Sequence, residues 1–180
     1  MKQAVLTTFA FLALAVVAFG GCAHIPDGAK AVTGFDKSRY LGTWYEIARM
    51  DFRFERGLNN TTAEYAALEG GRITVRNRGY DYAKREWREA VGTAKFRGSE
   101  TVAELKVSFF GPFYGAYNVI ALDADYRYAL VAGKSLKYLW ILSRTREIPE
   151  GVKAEYVGLA KALGYEIDEL VWVEHTEKVD

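Results

Sequence analysis

From Phe35 to Arg144 the chain repeats one short rhythm: apolar and aromatic residues alternate with polar ones over a few positions, then a turn signal intervenes. Helical periodicity is scarce there. Eight strands are predicted, near Trp44 to Met50, Thr61 to Ala67, Arg72 to Gly79, Arg85 to Phe96, Val102 to Phe109, Tyr114 to Leu122, Tyr126 to Ala132 and Tyr138 to Ser143. The connections "EGG", "RGSE", "LDAD" and "AGKS" are hairpin-length, so neighbouring strands should run antiparallel. A meander of this kind favours an all-β fold, an eight-stranded antiparallel up-and-down barrel, because closure removes exposed sheet edges. A two-layer sandwich is the alternative.

After Arg144 the period changes. Pro149 stands at a helix start, and Val152, Tyr156, Leu159 and Leu163 follow at helical spacing until Gly164 stops the pattern. The single C-terminal α-helix should pack on the outside of the barrel through that face. The tail "ELVWVEH" alternates weakly and predicts a short ninth strand. No internal repeat or low-complexity segment interrupts the chain.

The N-terminus belongs to another class. Lys2 precedes an uncharged apolar run from Ala4 to Ala18, then Gly20, Gly21 and Cys22, which is the pattern of a secretory signal over residues 1–21. Small residues before the chain's single cysteine resemble a bacterial lipobox, which implies that Cys22 is lipidated and becomes the new N-terminus. Ala23 after it implies the outer membrane rather than the inner, with the domain on the periplasmic side. Residues 22–34, "CAHIPDGAKAVTG", read as a tether, and 35–180 as one domain.

Charge adds exclusions. The chain has 24 Lys and Arg against 23 Asp and Glu, and loss of residues 1–21 removes Lys2 alone, so the mature chain is balanced. A balanced chain has no electrostatic footprint for nucleic acid. Cys22 has no partner, so the domain must fold without an internal disulfide.

Candidate chemistry is sparse. His24 lies in the tether and His175 near the C-terminus, which leaves the strands without the residues of a metal cluster or a Ser-His-Asp arrangement. No phosphate loop or dinucleotide fingerprint is present, and no cofactor is implied. Asp123 and Asp125 sit in a hairpin where aspartate is ordinary turn chemistry. Glu46, on the first strand, is the acidic residue expected to face inward. Aromatic residues are plentiful, with 4 Trp, 12 Tyr and 10 Phe. In "FFGPFYG", Phe109 to Gly115, four rings surround a turn that would ordinarily be polar, and such apolar loops mark contact with a ligand, a membrane or a partner.

Three of these segments together resemble the lipocalins. "GTWYE", with Gly42 and Trp44, looks like their Gly-x-Trp signature; "LDADY", with Asp125 and Tyr126, resembles their Asp-Tyr turn; and Arg144 in "ILSRT" resembles their closing arginine. More narrowly, "RYLGTWYEIAR", "RFERGL", "LKVSFFGPFYGAYNVIALD" and "YLWILSRT" are similar to the bacterial outer-membrane lipoprotein branch, near apolipoprotein D.

The resemblance implies that Trp44 and Arg144 meet at the closed end, with Gly42 leaving room. It also implies a mouth formed by "DFRFERGLN", "YDYAKRE", "FFGPFYG" and "GKSLK". Strand parity counted from Arg144 then turns Tyr138 and Trp140 into the barrel, together with Ala63, Tyr65, Ile73, Val75, Asn77, Leu105, Val107 and Tyr114. Phe109 and Phe113 join them from the mouth. The implied function is binding of fatty acid or lysophospholipid for lipid storage, transport or envelope maintenance, without catalysis. A lipid-modifying isomerase or de-epoxidase is the alternative, and "FFGPFYG" is also a possible homodimer contact.

Overall fold

The structure is a computed structural model and describes residues 25–176. Cys22 and the signal segment over residues 1–21 lie outside the described residues.

The elements are a one-turn helix α1 (Lys37–Tyr40) and strands β1 (Gly42–Met50), β2 (Leu58–Leu68), β3 (Arg72–Asp81), β4 (Glu86–Phe96), β5 (Glu104–Phe110), β6 (Phe113–Leu122), β7 (Tyr128–Ala132) and β8 (Leu139–Ser143). Helix α2 (Glu150–Ala162) and strand β9 (Leu170–Trp172) complete them. Each strand from β2 to β8 pairs antiparallel with the next, β8 pairs with β1, and β1 returns to β2 with Gly42 opposite Tyr65 and Trp44 opposite Ala63. The sheet is therefore a closed eight-stranded barrel, and the sandwich alternative falls. β9 pairs with β1 from outside, Ala48 opposite Trp172 and Met50 opposite Leu170. The weak alternation of "ELVWVEH" is this short strand, which fills the seam where β2 has left β1.

The apolar positions of the strands divide between two cores. One lies inside the barrel and contains Phe35, Tyr40, Trp44, Tyr65, Ile73, Val75, Leu105, Val119, Val131 and Leu142. The other lies between the outer wall and α2, where Ile47, Leu130, Leu139 and Ile141 meet Tyr156 and Ala160. The helix face differs from the expected one by one position. Leu159 is 41% exposed and Ala160 takes its place, because the buried stripe is centred on the Val157 side of Tyr156 rather than the Leu159 side.

The barrel is closed at the end where β1 begins and β8 stops. Trp44 is fully buried and donates its indole N–H to Tyr40 O at 2.9 Å. The Arg144 guanidinium lies 3.9 Å from the Trp44 ring centroid and donates to Thr43 O, Arg39 O and Tyr126 O at 2.9, 2.8 and 3.2 Å. Gly42 has φ +95°, a left-handed conformation that calls for glycine, and it lies beside the Arg144 guanidinium, 3.4 Å from where a Cβ would sit.

The nearby turn corrects one expectation. Asp123, not Asp125, organises it, accepting from the backbone N–H groups of Arg127 and Tyr128 at 2.6 Å each, whereas Asp125 is exposed and paired with Arg127. Tyr126 adopts φ +60° within that turn, which is why β7 starts at Tyr128 rather than at Tyr126.

Candidate ligand-binding site

Inside the barrel the lining is mainly apolar, and apart from Asn77 its polar side chains form two groups at different depths. The deeper is a chain of three tyrosines: Tyr117 OH lies 2.7 Å from Tyr40 OH and 2.7 Å from Tyr65 OH. Burial pushes all three hydroxyls well above the usual tyrosine range, so they stay neutral. Three hydroxyls sharing two hydrogen bonds leave one O–H free to point at whatever enters from above.

The upper group exists because of a β-bulge. Glu46 pairs with Leu142 and Ala48 with Ile141, so β1 carries one extra residue at Ile47 and its side-chain alternation resets. Glu46 and Arg49, which a regular strand would turn to opposite faces, both point inward and form an ion pair at 2.7 Å. Burial raises the Glu46 carboxyl, with Arg49 opposing that effect.

Arg49 also fixes a loop. Its Nη2 donates to Glu55 O at 2.7 Å and to Leu58 O at 3.0 Å, so the β1–β2 connection is held across the mouth. Trp140, directly opposite Arg49 on β8, donates its indole N–H to Glu55 Oε2 at 3.1 Å. Phe52 sets its ring edge against Trp140 and Tyr138, with centroids 5.7 and 5.9 Å away. Burial first, and the neighbouring Glu46 charge second, push the Glu55 carboxyl up to about 8. The Arg49 guanidinium pairs with the Glu46 carboxylate and reaches Glu55 through its backbone carbonyl, and the protonated Glu55 carboxyl avoids a second buried negative charge. Arg49 Nε and Asn77 Oδ1 are buried without a hydrogen-bond partner among the described residues, so polar capacity is left for a ligand.

Most of the expected lining residues do face the interior. Tyr65, Ile73, Val75 and Leu105 are buried in the inner core, and Ala63, Val107, Phe109 and Trp140 pack against it. Asn77 shares the face of Ile73 and Val75. Phe109 has room because Gly92 stands opposite: a Cβ on Gly92 would lie 2.8 Å from the Phe109 ring. Tyr138 stacks on Trp140 with centroids 6.4 Å apart.

Two residues depart from the expectation. Tyr114 faces outward, 43% exposed, with Lys95 Nζ and Lys106 Nζ 4.9 and 5.3 Å from its ring centroid. The register explains it: Leu105 opposes Tyr117 and Val107 opposes Gly115 on the inner face, so Tyr114 falls on the other face. Phe113 is 78% exposed on the rim and does not line the interior.

Arg49, Glu55, Tyr40 and Tyr117 escaped the sequence reading. Period-2 alternation does not reveal a bulge, and Glu55 sits between two arginines in "RFERGL", where charge looks like solvated loop.

Eight antiparallel strands around an apolar interior, a tryptophan floor under an arginine and a mouth with one polar group define a lipocalin. A family model described as the lipocalin-like domain matches residues 35–175, and the chain belongs to this family. Within it, the chain is 53% identical to the outer membrane lipoprotein Blc of Citrobacter freundii over 148 residues, covering 82% of this chain and 84% of that one. It is 46% identical to the protein of the same name from Vibrio cholerae over 165 residues, covering 91% and 96%. The solved structure of insecticyanin from the tobacco hornworm Manduca sexta superposes with a TM-score of 0.69 at 20% identity, over 87% of this chain and 89% of that one, which shows the shared fold.

Proposed function

We propose that this lipocalin is held at the bacterial outer membrane by an acylated Cys22 and carries single-chain amphiphiles, fatty acids or lysophospholipids, in its barrel without chemically altering them. The observation that carries the reading is an interior closed by Trp44 and Arg144, apolar through Val75, Leu105, Val107 and Phe109, and polar beside Trp140 near the mouth. The relatives named as outer membrane lipoproteins support the location. Each methylene buried there contributes about 0.8 kcal/mol, so chain length governs affinity.

The polar group favours lysophospholipid within this class. Arg49 is already paired with Glu46 and the Glu55 carboxyl stays protonated, so no cation is left over at that depth to balance an ionised fatty-acid carboxylate. A lysophospholipid keeps its phosphate at the rim, beside Arg53, Lys134 and Lys137. Titration of the chain from Ala23 onward with palmitoyl lysophospholipid and with palmitate, followed by Trp140 emission, tests this. A saturable change that is stronger for the lysophospholipid supports it, and no saturable response to either amphiphile refutes binding.

A further inference from the structure

The start of the described chain lies beside the mouth, not at the closed end. Val32 and Phe35 are fixed at the closed end, where Val32 N donates to Val119 O at 2.9 Å and Phe35 N to Thr101 O at 3.0 Å. Upstream of them the chain returns along the outer wall. A Cβ on Gly28 would lie 3.6 Å from Leu163 Cδ2, at the end of α2. Ile25, Pro26 and Asp27 then share a cleft with Lys134, Ser135 and Leu136, which belong to the β7–β8 loop of the rim. The stretch expected to be a free tether is thus, from Ile25 on, part of the wall. Cys22 is three residues upstream of Ile25, a reach of at most about 10 Å.

The same end carries the exposed rings. Phe54, Phe110 and Phe113 are 51%, 67% and 78% exposed, and Phe54 and Phe110 touch across two loops with centroids 6.4 Å apart. None of the exposed large hydrophobic side chains among the described residues lies in the closed-end connections. The charge is also uneven. The mouth holds Arg53, Arg56, Lys84, Arg85, Lys134 and Lys137; Arg56 is paired with Asp51 and Lys84 with Asp81 and Glu86, which leaves an excess of basic side chains in Arg53, Arg85, Lys134 and Lys137. A chain with a formal net charge of only +1 therefore presents a basic, apolar-tipped rim at the end where Ile25 lies.

We propose that the barrel docks mouth-down on an anionic phospholipid surface, with Phe54, Phe110 and Phe113 inserted among the lipids and the basic residues of the rim against their phosphates. The short anchor enforces the orientation, and an amphiphile passes between bilayer and barrel without crossing open water. This inference rests on the acylation of Cys22 proposed above.

The test uses the acylated chain in vesicles of phosphatidylethanolamine and phosphatidylglycerol, with an environment-sensitive fluorophore at Phe113→Cys or, at the closed end, at Glu69→Cys. A spin-labelled phospholipid should quench the Phe113 label about threefold or more and leave the Glu69 label unchanged. Lys134→Glu with Lys137→Glu should reduce that quenching. Equal quenching at both sites, or none at either, overturns the proposal. Protection of the Phe113 label that depends on protein concentration and ignores the spin-labelled lipid overturns it too, in favour of a second copy on the rim. Trp140 emission during lysophospholipid titration is read in the same samples: retained binding with the wrong label pattern refutes docking alone, whereas lost binding counts against the carrier function.

Discussion

Arg144 holds its guanidinium 3.9 Å over the Trp44 ring centroid while donating to three backbone carbonyls, so one side chain both stacks on the indole and ties α1, β1 and the β6–β7 turn together. The stacking is worth roughly 0.5–2 kcal/mol, and each stranded carbonyl adds to the cost of its loss. Arg144→Ala should lower unfolding free energy by about 2–4 kcal/mol in urea denaturation. Arg144→Lys should recover only part, because an ammonium lacks the planar fork that reaches three carbonyls.

Arg49 is a second fastener, at the opposite end. It is 1% exposed and satisfies Glu46, the Glu55 carbonyl in the β1–β2 loop and the Leu58 carbonyl at the start of β2. Arg49→Met alone strands a buried carboxylate, and a loss of about 3–5 kcal/mol is expected. Adding Glu46→Gln should restore much of it. A double variant as unstable as the single one would show that the loop ties, not the buried charge, dominate.

The closed end was legible in the sequence and the polar site was not. Gly42, Trp44 and Arg144 stand out in the sequence through their resemblance to the lipocalin pattern, and the structure sets Arg144 over Trp44 beside a left-handed Gly42. Strand alternation likewise assigns Tyr65, Val75, Leu105 and Val107 to the interior, since the irregularities of these strands fall before Thr62 on β2 and after Val107 on β5. Arg49 became an interior residue only through the extra residue at Ile47, and Glu55 only because Arg49 and Trp140 pull its loop inward. Tyr114 was misplaced for the converse reason: in an aromatic loop segment every ring looks like lining, and only the pairing register tells the faces apart.

Glu55 should make stability depend on pH. Its carboxyl rises from 4.5 to about 8 on folding, so the folded chain keeps a proton that the unfolded chain releases. This stabilisation is complete below the unfolded value and is lost as pH climbs through about 8. The urea midpoint of the parent should therefore fall between about pH 6 and about pH 9, and Glu55→Gln should flatten that fall. Trp140 emission should shift over the same window in the parent and stay constant in the variant, where the amide still accepts the indole N–H.

Gly92 gives Phe109 its place inside the barrel. A Cβ there would meet Ser108 O at 2.6 Å and the Phe109 ring at 2.8 Å, so Gly92→Ala must move both. A loss of about 1–3 kcal/mol is expected from urea denaturation, with weaker lysophospholipid binding because the ring is driven from the wall.

The carrier reading stands or falls on whether the amphiphile occupies the barrel. Native mass spectrometry of the chain from Ala23 onward with palmitoyl lysophospholipid measures this directly, comparing the parent with Val107→Trp, which fills the interior from the wall between Leu105 and Phe109. One lipid per chain in the parent, with occupancy reduced about tenfold or more in Val107→Trp at equal folded fraction, is the expected result. Undiminished occupancy in the filled barrel would place the lipid elsewhere and contradict it.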